Sequence, residues 1–243
     1  MICLAAASPA VATVLDWPNP PGWTAGAPAP GQTATQSFTA VVPNDVTVAI
    51  NNNGANAVGA SWSAGYPAIN STLINGGMPG TNGLQLFLTS ESSTSSYIEL
   101  TVTFLQPVAN LSFQIWDVDS SSQYIDTISQ IQGLAVGGGT VGADSITGAV
   151  SGFNTISGTG LSTVVTGTAT ASNTSNEGTI DITFLQPITQ FSFRYSNTDS
   201  SLGSQGIALG PLTFAVVPES VPPWTSALLA LCAIAVSSIR RKR

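Results

Sequence analysis

The chain has 243 residues, of which only 7% are Asp, Glu, Lys or Arg while 43% are hydrophobic. Its polarity comes from Ser, Thr, Asn and 24 glycines, a composition unlike disorder, which pairs low hydrophobicity with high net charge. Four of the five basic residues are the last four, so Arg194 stands alone against twelve carboxylates; phosphate backbones are bound by Lys and Arg, and nucleic acid is excluded as a partner.

Residues 1–12 end in Ala10-Val11-Ala12, a small-x-small triplet suited to signal peptidase cleavage before Thr13, and read as a truncated signal peptide. A Pro/Gly-rich lead follows over 13–34, in which Trp17 and Trp23 are expected to cover an open sheet edge. From 35 to 216, short alternating runs are separated by Gly, Asn, Ser and Pro clusters, and no helical periodicity of normal length occurs. Strands are predicted over Ser37–Val42, Asp45–Asn51, Gly83–Leu88, Tyr97–Leu105, Leu111–Asp117 and Asp126–Ile131. Four more are predicted over Ser162–Thr168, Thr179–Leu185, Gln190–Tyr195 and Ile207–Val216. Ten strands at this spacing predict an all-β domain, a two-sheet antiparallel sandwich of jelly-roll or Greek-key type.

An internal repeat supports that class. Residues 101–120, TVTFLQPVANLSFQIWDVDS, align without a gap on 181–200, DITFLQPITQFSFRYSNTDS. Val102 and Phe104 alternate, Gln106-Pro107 interrupts the ladder, and Leu111, Phe113 and Ile115 alternate again. Each copy therefore predicts a β-hairpin, with equivalent strands either in the two sheets or side by side in one. Trp116 is expected to plug a sheet end next to Phe113.

The last segment has three parts. Val217-Pro218-Glu219-Ser220-Val221-Pro222-Pro223 is a Pro-rich break, Trp224–Ile239 is uncharged and apolar, and Arg240, Arg241, Lys242 and Arg243 are basic. An apolar helix over 224–239 would place Trp224 at one membrane interface and let the terminal cations snorkel at the other, on the cytoplasmic side. This tail, 217–243, resembles the PEP-CTERM sorting signal of exported bacterial proteins. The resemblance implies an exosortase-type membrane transpeptidase as partner, acting near Val217, Pro218 and Glu219. It also implies anchoring in the inner membrane through Trp224 and the Arg240–Arg243 end, then a place at the cell surface or in a biofilm matrix of exopolysaccharide. Ser220 departs from the family motif, which has Pro there. The body more loosely resembles a module recurrent in such proteins, one to which no activity is assigned.

Histidine is absent and the cysteines are only Cys3 and Cys232, which removes Ser/His/Asp and Cys/His catalysis and any disulfide between them in the body. The densest acidic cluster, Asp117, Asp119 and Asp126, has the oxygen chemistry of a structural Ca²⁺ site, against the alternative that Asp caps turns. Glycoside hydrolysis would need a selected carboxylate pair, and the spacing of Glu91, Glu99, Asp117, Asp119 and Asp126 selects none. Trp23, Trp62, Tyr66 and Tyr124 sit in Asn/Ser/Gly-rich loops where aromatic rings stack on sugars. Arg194 is expected to neutralise Asp181 or Glu177. These readings point to an exported, non-enzymatic surface or matrix protein, with no required cofactor; the alternatives are a carbohydrate-binding module for exopolysaccharide and, behind it, a glycosidase.

Overall fold

Alternation of apolar and polar residues with period two is realised throughout. The computed structural model describes residues 12–19, 21–53, 61–90, 96–199 and 203–218. Residues 1–11 of the expected signal peptide, Glu91, Glu219 and the tail from Trp224 to Arg243 lie outside them, as does the expected transmembrane helix. Among the described residues no helix is long and apolar enough to cross a membrane.

Among the described residues, sixteen strands form one antiparallel network. In chain order they begin with β1 (Ala12–Leu15), β2 (Thr33–Phe38), β3 (Val46–Asn53), β4 (Ser61–Trp62), β5 (Ala68–Asn70) and β6 (Gly83–Ser90). The middle of the chain supplies β7 (Tyr97–Trp116), β8 (Asp126–Ala135), β9 (Thr140–Gly142), β10 (Ser145–Gly148), β11 (Asn154–Ser157) and β12 (Val164–Gly167). The last are β13 (Ile180–Phe184), β14 (Ile188–Asn197), β15 (Gln205–Leu209) and β16 (Leu212–Val216).

The repeated segments are not hairpins. β7 runs unbroken through Gln106-Pro107 and changes layer there. Its first half pairs with β3 and β14, its second half with β13, β16 and β15. The inward set switches phase at the corner: Ile98, Leu100, Val102, Phe104 and Val108 are buried, then Leu111, Phe113 and Ile115. Asn110, with φ 52°, supplies the odd residue. The second copy does the same, with Ile180, Ile182, Phe184 and Ile188 buried, then Phe191, Phe193 and Tyr195, and a register shift between Ile188 and Gln190. A hairpin would have paired β13 with β14; instead each strand pairs with β7.

The two copies therefore embrace in a pseudo-twofold. Ile180 pairs with Ile115 and Phe184 with Leu111 in one layer, Gln190 with Thr103 and Tyr195 with Ile98 in the other. Advancing by the 80-residue repeat turns the pair 180–115 into 100–195, and the observed partner of Tyr195 is residue 98. An even shift of two keeps the same faces inward. Both corners meet at one end of the domain, where Ile188 pairs with Val108 and Val108 with Val216.

Ring contacts fix the layers face to face. Phe113 of one stacks on Phe191 of the other with centroids 4.4 Å apart, and Phe104 meets Phe214 at 5.2 Å. At the edge, Trp17 packs edge-on against Phe38 at 5.3 Å, and its indole N–H donates to the Gly210 carbonyl at 2.8 Å. The lead is thus part of the sandwich: β1 pairs with β16, β2 pairs with β3, and Trp17 is buried. The expected strand over 207–216 is two, separated by Gly210-Pro211, which lets β15 continue to β6 while β16 takes β1. Trp116 lies on the outer side of its layer, in a second small cluster with Ile74 and Ala208 under the 71–82 loop, not beside Phe113. Gly83 and Gly210 make room for it, since a Cβ on either would lie 2.7 Å from the indole ring.

Candidate functional site

The outer face of one layer is hollowed. Because Phe113, Ile115, Ile180 and Ile182 point inward, their neighbours Ser112, Gln114, Asp181 and Thr183 must point outward. With Thr213 they line a groove of about 340 Å³, rimmed by Met78 and Pro211. Gln114 is held from both sides: its Nε2 donates to Asp181 Oδ1 at 2.8 Å, and its Oε1 accepts from the Trp116 indole at 2.9 Å. The groove offers hydroxyls, an amide and one carboxylate, with no cation. That is hydrogen-bonding chemistry for an uncharged polyhydroxylated ligand. None of these residues except Asp181, as an ion-pair partner, was singled out in the sequence. The available signal was the outward parity of Ser-x-Gln in one copy and Asp-x-Thr in the other.

At the opposite end from the corners, β7 gives way to the acidic loop. Asp117 adopts φ 67°, turning the chain, and Val118 donates to the Gly178 carbonyl at 2.8 Å. The Asp126 amide closes the loop on the Asp119 carbonyl at 2.9 Å. Gly167 is required beside it, since a Cβ there would overlap the Asp119 carbonyl oxygen. Asp126 is fully buried; its Oδ1 accepts from the Tyr195 hydroxyl at 2.8 Å. Asp119 accepts the Ala171 amide at 2.8 Å and is hydrogen-bonded to Tyr124, while its own amide donates to Asp126 Oδ2 at 3.4 Å.

Burial pushes Asp117 up to about 8, with the charge of Asp119 adding to it. Asp126 is raised well above the carboxylate range, first by burial and then by Asp119. Asp119 is raised by burial against the hydrogen bonds it receives, and burial and Asp119 together raise the Tyr124 hydroxyl. Among the described residues no three His, Cys, Asp or Glu side chains are grouped to hold a metal; the Asp126 and Asp119 oxygens accept from the Tyr195 hydroxyl and from the Asp119 and Ala171 amides. The second copy joins the same end: Asn197, the counterpart of Asp117, accepts the Ile125 and Asp199 amides at 2.9 Å each.

The four aromatic candidates do not share a platform. Trp23 lies on Phe38 and donates to Gly26, while Trp62 donates to Pro28 on the same lead segment. Tyr66 leans on Phe87 at 5.5 Å, and Tyr124 belongs to the acidic loop. None of them lines the groove. Arg194 pairs with Glu99, not with Asp181 or Glu177: its Nε lies 2.8 Å from Glu99, and its guanidinium covers Tyr97 at 4.1 Å. Val217 remains tied to the corner, donating to the Pro107 carbonyl at 2.8 Å, and Pro218 is exposed.

No family model matches the chain, and no curated protein sequence matches it. Two solved structures show a likeness. One is a family 11 carbohydrate-binding module from Clostridium thermocellum in complex with a β-1,3-1,4-mixed-linked tetrasaccharide, at 14% identity and TM-score 0.33, over 88% of this chain and 100% of that one. The other is the family 11 carbohydrate-binding module of the cellulosomal cellulase Lic26A-Cel5E of Clostridium thermocellum, at the same identity and TM-score, over 88% of this chain and 99% of that one. At that TM-score neither likeness transfers a fold or a function.

Proposed function

We propose that the chain is an exported surface or matrix protein that acts by interaction and not by turnover, carried to its place by residues 217–243 as a PEP-CTERM-like sorting tail. The observation that carries this reading is where the three-part segment begins. The last strand ends at Val216, Val217 is still bonded to the corner, and Pro218 is already exposed. Pro218 is the first exposed residue past the last strand, and in the sequence Glu219, a further Pro-containing stretch, an apolar run and a basic end follow it, which supports a processing point there. The test is the mass of the protein recovered from its native host, with both termini sequenced. A surface or extracellular product ending near Glu219 is expected. An intact Arg243 on a protein confined to the cytoplasm overturns the reading.

A second reading is favoured by the groove. Its hydroxyls, amide and single carboxylate, in a domain with one cation among its described residues, suit a neutral or weakly charged polysaccharide. Affinity electrophoresis in the producer's exopolysaccharide checks this: Thr183→Ala with Asp181→Ala is expected to abolish retardation of the domain. Retardation that survives the double substitution removes the groove as the site.

A further inference from the structure

We infer that the corner end of the sandwich is a lipid-facing surface that lies against the uncharged interface of a phospholipid bilayer. The inference rests on the reading above, in which residues 224–239 enter a membrane, and adds to it how the folded domain stands on that membrane.

Turns between strands are ordinarily polar, and single exposed apolar residues mean little. Here both repeat copies place a leucine at the same outward corner position, Leu105 at 69% exposure and Leu185 at 57%. Three exposed valines join them. Val41 and Val42 share with Leu105 the wall of a mostly apolar cavity of about 30 Å³ that also touches Phe214, Val216, Asp45 and Gln106. Val136 donates to Pro187, next to the second corner, and Asn110 of the first corner donates to Leu185, so the two corners form one surface. Clustering of this kind, unlike scattered exposure, marks an interaction surface.

Three observations select a bilayer as the occupant. The chain leaves the fold at this surface, through Val217 beside Pro107. Only five residues lie between Pro218 and Trp224, a reach of at most about 22 Å, so an embedded 224–239 segment holds this end near the lipid. Among the described residues the surface also carries no cation, and its two nearest acids are turned into the loops: Asp45 accepts the amides of Ala40, Val41 and Val42, and Asp144 accepts that of Leu185. The contact is therefore apolar and independent of anionic lipid. Tethering makes even a weak contact effective, because the surface is presented at high local concentration.

The test uses the full chain with Cys3 and Cys232 changed to Ser, reconstituted in phosphatidylcholine vesicles and labelled with an environment-sensitive fluorophore at Leu105→Cys, Leu185→Cys or Ser122→Cys. Ser122 is exposed in the acidic loop, roughly 35 Å from the corner by strand rise. Headgroup nitroxide lipids are expected to quench positions 105 and 185 several-fold more than 122, unchanged by half-molar salt. A chain that floats with the vesicles but shows equal, weak quenching at all three positions overturns the inference and leaves the membrane reading standing. A chain that does not float overturns both. Emission at 105 that is already blue-shifted without lipid, and not quenched with it, assigns the surface to residues 219–243 and also overturns the inference.

Discussion

The two ends of the sandwich treat aspartate in opposite ways. At the corner end, burial pushes Asp45 up, but the amides of Ala40, Val42 and Val41 outweigh it and hold the group below its ordinary value. At the loop end, Asp117, Asp119 and Asp126 are more deeply buried and share fewer donors, and all three are raised. Asp117 Oδ1 has no hydrogen-bond partner. Residue type is the same at both ends, so the supply of backbone N–H groups decides which form is stable. One end keeps charge and exposes leucine. The other raises its acids and hides polar groups.

The largest blow to this contrast falls at Gly167. A side chain there must displace the Asp119 carbonyl, against which the Asp126 amide closes the loop. Gly167→Val is expected to remove about 3 kcal/mol of stability, as an overpacked site with a backbone neighbour does, measured by urea unfolding. A loss below about 1 kcal/mol would show that the loop end is more pliable than its packing indicates. Next in size, Tyr195→Phe takes from Asp126 the hydroxyl that binds its Oδ1, and about 1 to 2 kcal/mol should go with it.

The protons of the loop end give the comparison its pH dependence. A carboxyl whose folded pKa is raised binds its proton more tightly in the folded state than in the unfolded one. Asp117 therefore lowers stability as the pH rises from about 4, where the unfolded carboxyl ionises, to about 8, where the folded one does. The raised Asp119 and Asp126 act in the same direction. Asp117→Asn, which imitates the protonated form, should flatten this slope and gain at least about 1 kcal/mol at pH 8, read as melting temperature against pH. If wild type and variant fall in parallel, the slope arises elsewhere.

Much of this frame was legible in the sequence, for identifiable reasons. The all-β class followed from period-two alternation, and the repeat at 101–120 and 181–200 fixed the segments that carry the core. The crossing of layers was not legible. Gln106-Pro107 interrupts hydrogen bonding in either a hairpin or a corner, and only the phase change, from Val108 to Leu111 and from Ile188 to Phe191, distinguishes them. In the lead, prolines and glycines hide one strand, and although Trp17 was expected to cover a sheet edge, its partners Phe38 and Gly210 are distant in sequence. The aspartates were found, but composition does not show that their oxygens turn to the Tyr195 hydroxyl and to the Ala171 and Asp119 amides. The groove was missed because its residues are ordinary strand polars until the sheet curves around them.

The smallest expected effect is the most informative about the corner end. Leu105 and Leu185 are mostly exposed, so in the lipid-free chain they remove little apolar surface from water and contribute little to folding. Leu105→Ser with Leu185→Ser should therefore shift stability by no more than about 0.5 kcal/mol, whereas the same pair of substitutions at inward positions such as Phe113 and Phe191 would dismantle the contact between layers. A loss of several kcal/mol from the corner pair would mean that these side chains are covered in solution, and the two ends would then differ in their acids but not in their exposure. A near-silent result leaves two leucines, repeated at equivalent corners, that the fold does not need. What they serve then lies outside the fold, at the surface from which the tail departs.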